Sequence, residues 1–134
     1  GQFDAVAHLD VIKKYGHEYY GPFKPEKYKA PILKALEIMK QKGLGIELNS
    51  RSLHVRCQEL FPHPDILKWA LEVGIEHFTL SSDSHTPKDA GLYVKELISG
   101  DNGRTTPSVS SILSQSCICK ELDVLEIHNA KVKK

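Results

Sequence analysis

A parallel α/β fold is predicted by three observations. Short apolar runs alternate along the chain with longer segments whose apolar residues recur at helical spacing. The intervening helical segments end at glycines, at Gly16, Gly43 and Gly74. Polar side chains gather just after the apolar runs, where parallel β/α architectures place their sites. The order strand, helix, strand, helix, strand, helix, strand argues for a parallel sheet or a barrel of β/α units.

Phe3-Asp4-Ala5-Val6-Ala7 reads as a short buried strand ending at His8-Leu9-Asp10, followed by a short helix from Ile12 to Tyr15 that Gly16 stops. His17 to Pro25 is rich in aromatic and glycine residues, with Gly21-Pro22 and Pro25 as breakers, and is predicted to be a loop. Pro25 to Lys42 is the best helix, with Ile32, Leu33, Leu36 and Met39 on one face. Pro31 fits only near its first turn. Leu44 to Asn49 alternates as a strand does. Asp65 to Val73 is a second amphipathic helix, opened by Pro64 and closed by Gly74. Glu76 to Leu80 is the next strand, and Pro87 to Ile98 is predicted to be helical. Ser99 to Ser116, rich in Ser, Gly and Thr, reads as a loop or a poorly ordered segment. Leu122 to His128 is expected as a last strand before a basic tail. The division is a β/α domain over 1–98 and a divergent segment over 99–134.

The chain has 134 residues, 40% hydrophobic and 26% charged, as a single globular domain has. A net charge of +1 offers no electrostatic case for nucleic acid or a membrane surface. No apolar run approaches the length of a bilayer span. Cys57, Cys117 and Cys119, odd in number and irregular in spacing, read as free thiols in a reducing cytoplasm. The chain starts at Gly1 and enters a strand-like run almost at once, so it is expected to be cut from something longer.

The chemistry gathers at His8 and Asp10, Glu47 and Asn49, and Asp83 and His85, each pair following or ending a predicted strand. Asp83 and His85 are two apart, and on extended backbone such side chains share a face. They can converge on one cation or one substrate atom. Asp10 is readable as orienting His8 or a nearby basic group, and equally as a helix N-cap.

Val6-Ala7-His8-Leu9-Asp10, Ile46-Glu47-Leu48-Asn49-Ser50, Phe61-Pro62-His63-Pro64-Asp65-Ile66-Leu67 and Ser82-Asp83-Ser84-His85-Thr86-Pro87 occur in that order. Together they resemble the later motifs of the polymerase and histidinol phosphatase (PHP) superfamily, and within it the histidinol-phosphatase branch. The resemblance implies the C-terminal portion of a distorted (β/α)7, TIM-like barrel holding up to three divalent transition metals, zinc, iron or manganese. It implies His8, Asp83 and His85 as metal ligands, with Asp83 and His85 catalytic. Asp10, Glu47 and Asn49 would support those ligands, and Arg51 would bind the substrate phosphate, with Lys13, Lys14 and Arg56 as weaker candidates. The implied reaction is hydrolysis of a small phosphorylated metabolite, histidinol phosphate, in cytoplasmic histidine biosynthesis, by metal-activated water.

The His-x-His motif that opens this family and a later bridging Glu or His have no counterpart here. The site is therefore expected to be incomplete, needing a complementing N-terminal fragment or a homo-oligomer. A non-catalytic interaction or regulatory module with half of the fold is the alternative. Ser82, Asp83 and His85 as a hydrolase triad is disfavoured, because triad members normally come from separate elements. A nuclease is disfavoured by the near-neutral charge and by the lack of a basic patch laced with aromatics. No nucleic-acid and no membrane partner is expected.

Overall fold

The computed structural model describes residues 3–86, 88, 90–91, 93–104 and 108–118. Three parallel strands, β1 (Ala5–Val6), β2 (Gly45–Asn49) and β3 (Phe78–Ser81), form a sheet in the order β1-β2-β3. The register pairs Val6 with Ile46, and Ile46, Glu47, Leu48 and Asn49 with Phe78, Thr79, Leu80 and Ser81. β2 is the central strand, and Ile46 and Leu48 are buried in it. Gly45 sits where β2 approaches the segment before β3: a Cβ there would lie 2.6 Å from the His77 carbonyl oxygen.

The helices are α1 (Lys13–Tyr20), α2 (Lys29–Gln41), α3 (Pro64–Val73), α4 (Val94–Ser99) and α5 (Val109–Leu113). α2 and α3 pack together, and the core joins Leu36 and Met39 of α2, Ile46 and Leu48 of β2, Leu60, and Ile66, Leu67, Trp69 and Ala70 of α3. Leu97 of α4 completes it, and the partly buried Val109 and Ile112 of α5 pack against it. α3 begins as its sequence predicts, with Pro64 at its first turn and Gly74 (φ +89°) as a left-handed stop. Its N-cap is His63, whose Nδ1 accepts from the Asp65 N–H at 3.2 Å. Among the described residues no helix is long and apolar enough to cross a membrane.

Several boundaries differ from expectation for identifiable reasons. α1 runs through Gly16 to Tyr20 and ends at Gly21 (φ +76°) instead. Glycine in a helix costs only about 1 kcal/mol against alanine, and the buried Lys13 anchors the first turn. The predicted Pro25–Lys42 helix is a 3-10 turn, Pro25–Tyr28, followed by α2, with Pro31 at the third position of α2, where no intrahelical donor is required. Within the helix predicted from Pro87 to Ile98, α4 covers Val94–Ser99, preceded by left-handed backbone at Tyr93 (φ +63°). Within the predicted Ser-rich loop stand a 3-10 turn (Asp101–Gly103) and α5, whose first turn is held by a reciprocal capping box of Ser108 and Ser111. The last strand expected at Leu122 to His128 lies outside the described residues.

Candidate functional site at the strand ends

His8 follows β1 and Asp83 follows β3, each by two residues, on opposite edges of the three-stranded sheet. Their side chains meet across the end of β2: His8 Nε2 lies 3.1 Å from Asp83 Oδ2. Asn49, the last residue of β2, brings its Nδ2 within 3.2 Å of His8 Nε2 and donates to Glu47 Oε1 at 3.1 Å. Glu47 Oε1 in turn stands 3.7 Å from His8 Nδ1. Both His8 (φ +55°) and Asp83 (φ +46°) have left-handed backbone, which costs a non-glycine residue roughly 1–2 kcal/mol. Such conformations persist where surrounding contacts hold them and concentrate at functional positions.

The charge arrangement fixes the proton on this ring. Burial pushes the Asp83 carboxyl up, but the hydrogen bond from His8, the charges of His8 and His85 and a hydrogen bond from Asn49 outweigh it and hold the group below its ordinary 3.8. Asp83 is then a carboxylate at neutral pH, Nε2–H of His8 donates to it, and the Asn49 amide is directed to Glu47. The result is an imidazole oriented by a carboxylate, about one-third exposed, with a second carboxylate facing its other nitrogen. That arrangement can accept or deliver a proton.

The remaining predicted residues are placed less uniformly. His85 is 80% exposed at its side chain, with Nε2 3.8 Å from Asp83 Oδ1. The Arg51 backbone N–H donates to Asn49 Oδ1 at 2.9 Å, which ties the segment after β2 to the cluster. Of the two partners expected for Asp10, His8 or a nearby basic group, the structure selects the basic group. Asp10 is buried, accepts from the His63 N–H at 2.8 Å, and pairs with Lys13 at 2.9 Å. Lys13, a weaker candidate for phosphate binding, is only 2% exposed and also faces Glu59 and the Leu60 carbonyl. Arg56 is exposed, and its hydrogen bond to Glu18 raises its pKa. Among the described residues no group of three or more His, Cys, Asp or Glu side chains could hold a metal ion. Of the implied metal ligands, His8 and His85 both meet Asp83, His8 Nε2 at 3.1 Å from Oδ2 and His85 Nε2 at 3.8 Å from Oδ1.

A second polar feature was not predicted. Four of the five tyrosines fall between positions 15 and 28, and positions 13–29 carry five lysines against two glutamates. Tyr15, Tyr19, Tyr20 and Tyr28 are all exposed. The expected lack of a basic patch laced with aromatics is therefore corrected: a whole-chain charge of +1 hides a local excess. The signal was legible as a local count.

The model of the family described as "Pus10, C-terminal" matches residues 30–128. A tRNA pseudouridine synthase Pus10 of Methanocaldococcus jannaschii is 78% identical over 41 residues, 31% of this chain and 9% of that protein. The tRNA pseudouridine synthase Pus10 of Pyrococcus furiosus is 46% identical over 95 residues, 71% of this chain and 22% of that protein. A probable histidinol-phosphatase of Deinococcus radiodurans is 37% identical over 92 residues, 69% of this chain and 32% of that protein. The chain thus spans less than a third of each of these relatives. No solved structure matches.

The family match overturns the assignment to the PHP superfamily, and with it histidinol-phosphate hydrolysis, the place in histidine biosynthesis and the small phosphorylated metabolite. The non-catalytic module offered as its alternative does not match either. The expectation of no nucleic-acid partner falls on the same finding, because the named relatives act on tRNA. The four motifs lie within residues 6–87, whereas the matching model extends to residue 128, well past them.

Proposed function

The chain belongs to the Pus10 C-terminal family, and from that membership we propose that it is part of a tRNA pseudouridine synthase and serves RNA modification. The observation that carries this reading is the family match over residues 30–128, supported by identities of 78% and 46% to two synthases. The chain corresponds to a minor share of those proteins, so the activity proposed is that of the longer protein to which such a chain contributes.

In this reading the sheet end supplies a proton-transfer group. His8, held by Asp83 and faced by Glu47, is the side chain best placed to exchange a proton with an RNA substrate, and His85 and Arg51 lie on the same rim. A cytoplasmic location is part of the proposal, supported by the free thiols of Cys57 and Cys117. So is continuation of the three parallel strands into a larger β/α barrel in the longer protein, supported by the parallel order of β1, β2 and β3.

The test is formation of pseudouridine in tRNA by the full-length protein, read by nucleoside analysis of the treated RNA. Product should form, and His8→Ala should lower its rate without abolishing tRNA binding. A full-length protein that binds tRNA and forms no pseudouridine would sink the reading.

A further inference from the structure

Apart from the strand-end cluster, a groove of about 600 Å³ runs between α1, the Pro25–Tyr28 turn and α2. Among its lining residues Leu9, Phe23, Ile32 and Ile66 are buried or half-buried, whereas Ile12, Tyr20 and Tyr28 are exposed. Ile12 is 75% exposed and Tyr20 90%. Tyr15 and Tyr19, one turn apart on α1, extend the same exposed apolar surface beyond the groove. Contiguous apolar surface with a polar margin marks an interaction site. Tyrosine suits such a site, because it brings a large contact area and few rotamers to lose.

Charge selects the occupant. Asp10 is the one carboxylate among the described lining residues, and it is paired with Lys13 at 2.9 Å. Lys24 and Lys27, both exposed, therefore give the groove a net positive margin. Positions 13–29 as a whole carry five lysines against two glutamates, and one of those, Glu18, is paired with Arg56. An apolar floor with cations at its margin is complementary to a segment that is apolar on one side and acidic on the other.

A groove between helices takes such a segment as a helix with its apolar stripe inward. We propose that this groove docks an acidic amphipathic helix of a partner protein. Apolar side chains of that helix pack between α1 and α2, against Ile12 and Tyr20, and its carboxylates meet Lys24 and Lys27. A nucleic-acid strand fits the floor less well. Phe23 is already stacked on Tyr28, with ring centroids 6.0 Å apart and 3° between planes, and it meets the His63 ring at 6.3 Å. Leu9, Ile32 and Ile66 are aliphatic, so the floor offers a base little ring surface and offers aliphatic side chains a packing partner. The proposal goes beyond RNA modification and does not depend on it.

The test is fluorescence anisotropy of this chain with a fluorescein-labelled helical peptide that carries leucine along one stripe and glutamate and alanine elsewhere. Two controls replace its leucines by serine, or its glutamates by lysine. The leucine–glutamate peptide should bind at least roughly tenfold more tightly than either. Ile12→Ala and Tyr20→Ala, at exposed positions whose truncation spares the core, should each weaken it roughly 5- to 30-fold. Lys24→Glu/Lys27→Glu should weaken the leucine–glutamate peptide and strengthen the leucine–lysine one. Absence of peptide binding overturns the proposal, as does equal binding of the leucine and serine peptides or a charge reversal that leaves their preference unchanged. If Ile12→Ala and Tyr20→Ala weaken binding of a labelled oligouridine and leave the peptide unaffected, the surface is a nucleic-acid face and the proposal falls.

Discussion

Replacing Lys13 by methionine should be among the most damaging single changes in the molecule, although the position lies on a short, polar helix. Lys13 is 2% exposed and Asp10 5% exposed, and their charged atoms are 2.9 Å apart. At an effective dielectric of about 20 the gross attraction at that separation is about 6 kcal/mol. Desolvation of both groups offsets much of it, so the pair adds little net stability while intact. The balance changes when one partner goes. Methionine refills the lysine stem but leaves the Asp10 carboxylate buried with only the His63 N–H, and removes the donor to the Leu60 carbonyl. Glu59 is 25% exposed at its side chain and can turn to water. The expected loss is about 3–5 kcal/mol, a large share of the roughly 5–15 kcal/mol that holds a domain folded. Urea unfolding reads it as a lower midpoint at unchanged m-value. Adding Asp10→Asn removes the stranded charge and keeps an acceptor for His63, so the double variant should be more stable than the sum of the two single changes predicts. A loss below about 1 kcal/mol for Lys13→Met, or strict additivity in the pair, would refute the buried-pair argument.

Three further outcomes are expected. His63 has a pKa below its ordinary 6.5, because burial and then the charge of Lys13 disfavour its cation, against weaker opposing pulls from Asp65, Glu59 and Asp10. Its depressed pKa means that the unfolded chain takes up the proton first. The stabilisation is present above pH 6.5 and is lost as pH falls from there through the folded value, where protonated Nδ1 can no longer cap α3. Urea midpoints taken from about pH 8 to about pH 5 should fall for the wild type and less for His63→Asn, and parallel curves would contradict this. Asp83→Asn should cost about 0–1 kcal/mol at neutral pH, since both partners are about one-third exposed. Because the Asp83 pKa is depressed below 3.8, that difference should vanish as pH falls below 3.8, and a difference that persists in acid would count against the His8 pair. Gly45→Ala should destabilise by about 1–3 kcal/mol in thermal melts, because its Cβ would stand 2.6 Å from backbone that cannot turn aside; a neutral result would show that β2 shifts freely.

The sheet was readable because β2 carries its pattern in its residues. Ile46 and Leu48 alternate with Glu47 and Asn49, and the period of two is a local property of extended backbone. α3 was readable for the same kind of reason, with Pro64 and Gly74 marking its ends. α1 was not, because the cost of Gly16 in a helix is small against the burial of Lys13, which rests on residues far along the chain. α5 was not, because a serine-rich string looks like a linker until Ser108 and Ser111 cap each other.

The functional class was misread from residues that do come together. His8, Glu47, Asn49 and Asp83 converge as their placement at strand ends implies, yet ligand types at strand ends do not by themselves distinguish a metal cluster from a hydrogen-bonded imidazole. The aromatic and basic run at 13–29 was in plain view and was masked by the net charge of the whole chain.

By itself the sequence determined the alternation of strands and helices and the candidate residues at the strand ends, because each depends on neighbours a few positions apart, and that alternation in turn implied a parallel sheet. Only the tertiary structure decided that His8 donates a hydrogen bond to Asp83 across 75 positions. It alone paired the buried Asp10 with Lys13 rather than with His8. Those outcomes depend on left-handed backbone at His8 and Asp83 and on which buried charge finds a partner, both settled by packing between distant segments.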